Sequence, residues 1–335
     1  MTVDPAEFGT FVHAVLEQTA KDVMSSGGFQ KTSLEDTLDI AEKHAQEYAL
    51  MHFQQLESER LAYLFQRNRQ ELRFVVKELW DELRNSKFAP VGFEVGFGEG
   101  RDIGSIQISG GVLNARLRGF VDRVDTWDNN GLNYFRVVDY KTGNKDFDYC
   151  DIYNGLGLQM LLYLFALEDS NTDMLGARPT AAGVQYFPAR VPFVLVDGID
   201  DVEQIQDSRE KAWKRKGLLL EDESVLNAMD QEGTFSRLCC SVRKDGSLSG
   251  DVADSTQFRM LRTYVFTLLG RIVDDIASGC VDPNPYTRGS SDNACRFCPY
   301  GPVCHPTNVE GRRNYKAITA QRFWEDVEKE VEKHG

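Results

Sequence analysis

The stretch LRGFVDRVDTWDNNGLNYFRVVDYKTG, residues 117–143, decides how this chain folds. Two runs with period-2 apolar alternation flank the turn signal DNNG at 128–131, so the segment reads as a β-hairpin. A turn centred near Asn130 sets Asp122 on the first strand roughly opposite Asp139 on the second. Asp139 and Lys141 are two apart and share a strand face. Two carboxylates meeting on one face repel unless one is protonated or a cation sits between them. A hard divalent ion such as Mg²⁺ takes carboxylate oxygens and leaves positions for water and a phosphate. Lys141 then projects beside that ion, where it can orient an attacking water and stabilise developing negative charge. The competing reading is a surface hairpin whose charges simply pair.

Other candidates lie outward from the hairpin. FAPVGFEVGFG (88–98) reads as a preceding strand carrying Glu94, a third carboxylate or an exposed strand glutamate. SIQISGGVLNARLRGFVDRVDTW (105–127) also reads as strand. A helix over 155–168 is apolar on nearly every side and hence buried. Its polar side chains Gln159 and Tyr163, spaced i and i+4, share one face. An unpaired buried amide costs about 1–3 kcal/mol, so they face either a polar site or each other.

The first ~85 residues read as helical. Residues 4–24 form a helix with Asp4 as cap, Pro5 at its first position and Glu7 completing a capping-box-like pattern. Phe8, Phe11, Val12, Val15 and Leu16 make its apolar stripe, and His13 lies beside that stripe as a core or surface histidine. Two further helices are expected over 33–57 and 59–86. AAGVQYFPAR and VPFVLVDG supply one or two more strands, and helices return at 202–230, 256–279 and 318–334. The acidic WEDVEKEVE (324–332) reads as a solvated face.

Hydrophobic content of 41% and charged content of 27% are those of a soluble globular protein. The longest apolar run, LQMLLYLFAL at 158–167, is too short to span a bilayer, so no membrane is expected as a partner. MTVDPAEFGT has neither the basic nor the apolar region of a signal peptide, which makes the cytoplasm the expected location. A net charge of −14 argues against a protein that coats nucleic acid, though not against an enzyme with a basic groove. Basic residues gather at Arg209, Lys211, Lys214, Arg215 and Lys216, and at Arg312, Arg313 and Lys316; both clusters read as solvated helix faces. Of seven cysteines, Cys295, Cys298 and Cys304 in CRFCPYGPVCH have metal-ligand spacing, for zinc or an iron–sulfur cluster. His305 is awkwardly adjacent for sharing the same metal; Cys280, Cys239 and Cys240 are other sources of a fourth ligand.

In order, GTFVHAVLE, FEVGFG, LRGFVDRVD, VVDYKTG, GLQMLLYLFAL, GVQYFPAR, KGLLL and ACRFCPYGPVC resemble the PD-(D/E)XK nucleases of the RecB type, in particular the nuclease domain of the AddB-type family of helicase–nucleases. The resemblance runs from about residue 4 to the end. It implies an α/β fold: a restriction-endonuclease-like core with a small mixed sheet flanked by helices, a helical N-terminal layer and a cysteine-containing C-terminal segment. The expected organisation is 1–87 as the layer carrying His13, 88–200 as the core, and 201–335 as a mainly helical part, all within one structural domain.

The same resemblance makes His13, Asp122 and Asp139 ligands of Mg²⁺ or Mn²⁺, with Glu94 a further one, and Lys141 the catalytic lysine. Gln159 and Tyr163 match the family's Q-x-x-x-Y motif beside DNA. Cys295, Cys298 and Cys304 match three of the four thiolates of a [4Fe–4S] cluster. The family's first cluster cysteine precedes the histidine helix, but the twelve residues before His13 contain no cysteine. With no G-x-x-x-x-G-K-[ST] loop either, the expectation is an excised nuclease domain that holds its cluster poorly. The implied activity is degradation of single-stranded DNA at broken ends during recombinational repair, with an AddA-type helicase–nuclease as partner. A stand-alone CRISPR-associated RecB-type nuclease and a catalytically lapsed DNA-binding module are the alternatives.

Overall fold

In the computed structural model the described residues are 5–52, 59–170, 172–192, 208, 210–289, 292–304 and 313–334. Three long helices come first: α1 (Pro5–Ser25), α2 (Leu34–His52) and α3 (Glu59–Arg84). The expected cap Asp4 lies outside the described residues, as do Arg209, Arg312, His305 and most of VPFVLVDG. Ser33 caps α2, its hydroxyl oxygen accepting from the Asp36 amide at 3.1 Å.

The strands then run β1 (Ala89–Phe97), β2 (Ile106–Ser109), β3 (Asn114–Leu117), β4 (Gly119–Asn129) and β5 (Leu132–Lys141). After α4 (Tyr149–Tyr153) and α5 (Gln159–Asp169) come β6 (Pro179–Pro188) and β7 (Lys216–Leu220). A helix over Glu223–Met229 is followed by the small hairpin β8 (Cys240–Val242) with β9 (Leu248–Gly250), then by β10 (Val252–Ala253). Helices over Ser255–Ala277 and Ala320–His334 close the chain.

The chain divides into two compact units, one drawn from 1–106, 118–147 and 159–258, the other from 107–117, 148–158 and 259–335. The first unit holds a six-stranded mixed sheet in the order β1-β4-β5-β6-β7-β10. β1, β4 and β5 are antiparallel neighbours; β6 then runs parallel to β5, and β7 antiparallel to β6. Asn130 and Gly131 turn the hairpin with φ of 55° and 88°, the two positive values a tight Asn-Gly turn needs. Asn129 pairs with Leu132 and Arg123 with Val138, so Asp122 and Asp139 face each other one step beyond the last paired residues.

The apolar stripe of α1 is buried in full: Phe8, Phe11, Val12, Val15 and Leu16 pack with Leu72, Val75, Val76 and Leu79 of α3 and with Val138, Tyr140 and Phe187 of the sheet. At roughly 1.5–3 kcal/mol per buried large apolar side chain, this contact is what holds the helical layer on the sheet. Helix α5 is buried through Met160, Leu161, Leu162, Tyr163, Leu164, Phe165 and Leu167, as an all-round apolar helix must be.

Two expectations need correction. The stretch 202–230, read as helix, contains β7, because GLLL is continuously buried in the sheet and a short unbroken apolar run cannot be told from a buried helix segment by periodicity. Arg215, read with a solvated basic face, is 1% exposed and reaches α3.

In the second unit, Tyr149 of α4 and Tyr264 pack on Phe323, with Trp324 alongside, and Phe323 and Val327 are fully buried. The helix expected to be a solvated acidic face therefore buries one stripe.

Candidate active site

Three carboxylates stand side by side across adjacent strands. Glu94 on β1 falls opposite Asp122 on β4, between the pairs Phe93 with Arg123 and Val95 with Val121, and Asp122 falls opposite Asp139 on β5. Glu94 has φ of 48°, a left-handed conformation that is costly for a side-chain-bearing residue and that interrupts the pairing at this position. Its carboxylate is turned into the same locality as Asp122 and His13; one ligand atom from each of the three lies within 4.8 Å of the others. Lys141 Nζ is 2.5 Å from Asp139 Oδ2. That pair lacks hydrogen-bond alignment, and the buried Oδ2 has no hydrogen-bond partner among the described residues.

Tyr140, between Asp139 and Lys141, organises the site through its backbone. Its amide donates to Asp122 Oδ2 at 2.7 Å. Its carbonyl accepts from His13 Nε2 at 2.8 Å. A carbonyl can only accept, so Nε2 carries a proton, and Nδ1 is turned toward Asp122 Oδ2 at 3.4 Å. A histidine whose far nitrogen is held by a carbonyl in this way is fixed in orientation, with the near nitrogen placed to ligate a metal.

The Tyr140 side chain points the other way, into a buried charge network. Arg123 donates to the Tyr140 hydroxyl at 3.2 Å, to Glu82 at 2.6 Å and to Asp125 at 2.8 Å. Arg136 bridges Asp125, Glu82 and Gln185, and Arg215 donates to Glu82 at 2.8 Å. Burial alone raises a carboxyl, but at Glu82 the guanidiniums of Arg215, Arg123 and Arg136 outweigh it and hold the group well below the usual carboxylate range. Sequence reasoning missed this network. The alternation of RVD and RVVD carried a signal for it, since it puts Arg123, Asp125 and Arg136 at inward positions.

The electrostatics of the row fit a cation. Burial and then the charges of Asp122, Glu17 and Asp139 push Glu94 up to about 7, against a smaller opposing effect of Lys21. Burial and Asp139 raise Asp122 too, against His13, the Tyr140 amide and Lys141. A buried oxygen with no hydrogen-bond partner among the described residues, mutually repelling carboxylates and an imidazole nitrogen form an oxygen-and-nitrogen set suited to a hard divalent ion.

The sign of the pH dependence follows. Glu94's folded value lies above its ordinary one, so its stabilising contribution is complete below about 4.5 and is lost as pH rises toward about 7. The metal-free protein is expected to lose stability across that window. Mg²⁺ or Mn²⁺ affinity is expected to rise across it, with proton release on binding. Calorimetric titration in two buffers of different ionisation enthalpy checks this; identical heats at pH 6 would show no linked proton.

Gln159 and Tyr163 meet each other: Gln159 Nε2 donates to the Tyr163 hydroxyl at 2.9 Å. Tyr163 stacks on Phe97 with centroids 5.2 Å apart, and a Cβ on Gly119 would overlap its hydroxyl. Phe97 pairs with Gly119, three residues along the strands from Glu94 and Asp122, or about 10 Å at ~3.3 Å per residue. The structure thus brings His13, Glu94, Asp122, Asp139 and Lys141 into one place and sets Gln159 and Tyr163 at its margin.

A family model described as the PD-(D/E)XK nuclease superfamily matches residues 1–305. The chain belongs to the PD-(D/E)XK nuclease superfamily. Its mixed sheet flanked by helices is the fold of that family. Over nearly its whole length it is also similar to proteins named as one of the subunits of an ATP-dependent helicase/deoxyribonuclease. The match from Clostridium novyi (strain NT) is 34% identical and covers 98% of this chain and 30% of that protein. Those from Thermoanaerobacter sp. (strain X514) and Acetivibrio thermocellus are 31% and 32% identical, covering 99% and 94% of this chain and 30% and 28% of theirs. The chain spans under a third of the length of these curated relatives. Among the described residues, no helix of this nuclease is long and apolar enough to cross a membrane.

Cys295, Cys298 and Cys304 lie in the second unit, the first in a 3-10 turn capped by Asn293, the third ending the helical turn Gly301–Cys304. Cys298 and Cys304 are exposed and Cys295 is half-buried. Among the described residues these thiols do not converge at the spacing of a single ion.

Proposed function

We propose that this chain hydrolyses phosphodiester bonds of single-stranded DNA in a reaction dependent on Mg²⁺ or Mn²⁺, as the nuclease part of an AddAB-type helicase–nuclease. The observation that carries the reading is the row Glu94, Asp122 and Asp139, with His13 Nδ1 at one side and the Lys141 ammonium against Asp139 at the other.

His13, Glu94 and Asp122, with Asp139 beside them, would hold the ion, and a divalent ion there would supply Lewis-acid polarisation of the phosphate and of an attacking water. Lys141 stands where it can orient the attacking water and counter negative charge growing on a phosphate oxygen. The water oxygen bonds phosphorus and gives up a proton as the bond to the leaving oxygen breaks; that oxygen then takes up a proton. Tyr140 fixes both Asp122 and His13 through its peptide groups, so the ligand set is preorganised. Gln159 and Tyr163 position the strand at the margin of the site.

The relatives' naming as one subunit of an ATP-dependent helicase/deoxyribonuclease supports a second subunit as partner; in this reading it is of AddA type and feeds strands at broken ends during recombinational repair. Cys295, Cys298 and Cys304 would supply three of the four thiolates of a [4Fe–4S] cluster, which is expected to be incomplete here.

The reaction is tested with end-labelled single strands. Cleavage is expected with Mg²⁺ or Mn²⁺ and none with a chelator. A purified chain that leaves single strands intact at millimolar metal would end the nuclease reading.

A further inference from the structure

A second feature of the first unit lies beyond Lys141. The chain leaves β5 through Thr142, Gly143 and Asn144, and this loop borders a cavity of about 470 Å³. The ends of the parallel strands β5 and β6 and the start of β7 form its other walls, and crevices at the carboxyl ends of parallel strands are common ligand positions. Lys141, whose ammonium meets Asp139 of the carboxylate row, also lines this space.

Its charge runs against that of the molecule. Among the described residues Lys141, Lys145, Arg190, Lys214 and Lys216 line it, against the one acid Asp146, in a chain of net charge −14. Lys216 pairs with Asp146 at 3.4 Å and Arg190 with Glu71 at 3.6 Å. Lys145 and Lys214 make no ion pair among the described residues; Lys145 lies 6.0 Å over the Tyr186 ring. Two ammonium groups with no ion-pair partner among the described residues, in a cavity that Lys141 also lines, are suited to a polyanion. The volume lies at the small-ligand end of binding pockets, which run about 300–1,000 Å³, and is of the order needed for one nucleotide.

Resting on the nuclease reading, we infer that this cavity is a subsite for one nucleotide of a single strand flanking the scissile phosphate, its phosphate held by Lys145 and Lys214. The subsite makes the enzyme select unpaired strands by shape and charge, without reading bases.

The test measures binding of a fluorescein-labelled oligothymidylate, with Ca²⁺ replacing Mg²⁺, across a salt series. Wild type is compared with Lys145→Gln, Lys214→Gln, the double variant, and Lys214→Arg. Loss of this one phosphate contact is expected to reduce the slope of log affinity against log salt by about 0.7 in the double variant. Its affinity should fall about tenfold, and Lys214→Arg should bind as wild type does. Unchanged affinity and slope in the double variant would overturn the subsite, as would equal dependence of a duplex of the same length on these two lysines. Cleavage of the same oligonucleotide by wild type with Mg²⁺ is followed in parallel. Cleavage with unchanged double-variant binding removes only the subsite; a wild type that neither cleaves nor binds removes both readings.

Discussion

Lys141→Ala is expected to lower Mg²⁺-dependent cleavage of single strands by about a thousand-fold, or ~4 kcal/mol of transition-state stabilisation, while leaving the protein folded. The lysine is partly exposed at the end of β5, and its ammonium touches only the Asp139 carboxylate among described ion-pair partners. Its removal therefore opens no core cavity. What it removes is a positive charge at the point where the proposed reaction builds negative charge. Asp139→Ala should be as damaging for a different reason, since it takes away an oxygen aimed at the ion. The two are separable by metal titration: Asp139→Ala should weaken Mn²⁺ binding, and Lys141→Ala should not. Cleavage retained in both variants would mean either a contaminating nuclease or a lapsed site that only binds DNA.

Glu82→Ala should have the largest effect on stability, about 3–5 kcal/mol, read as a lower urea midpoint. Glu82 is the one carboxylate shared by Arg123, Arg136 and Arg215, all of them at most 1% exposed. Removing it leaves buried guanidiniums short of a counter-charge, and desolvated charges without a partner are costly. The effect should reach the active site as well, because Arg123 holds the Tyr140 hydroxyl and the Tyr140 peptide holds His13 and Asp122. An unchanged urea midpoint would show that the network does not fasten α3 to the sheet.

The hairpin register was legible because Asn130-Gly131 permits a tight turn and period-2 patterning then assigns every residue a face. The facing of Asp122 and Asp139, the shared face of Lys141 and the buried stripe of α1 all followed from those local rules. β7 was not legible, since a short buried run carries no period, and neither was the burial of Arg215, since a charged residue is exposed by default. The resemblance singled out His13, but its own surroundings in the sequence were those of any helix histidine.

Local pattern alone thus determined the strand pair and the order of its charged groups, because turn chemistry and side-chain alternation act over a few residues. Only the tertiary structure decided that His13 arrives beside Asp122, that Glu94 turns inward through a left-handed backbone, and that Arg215 closes on Glu82 from 133 residues away. Those contacts are set by how α1 and α3 pack on the sheet. Such packing is a sum of many weak apolar contacts among residues distant in the chain, and no short stretch contains it.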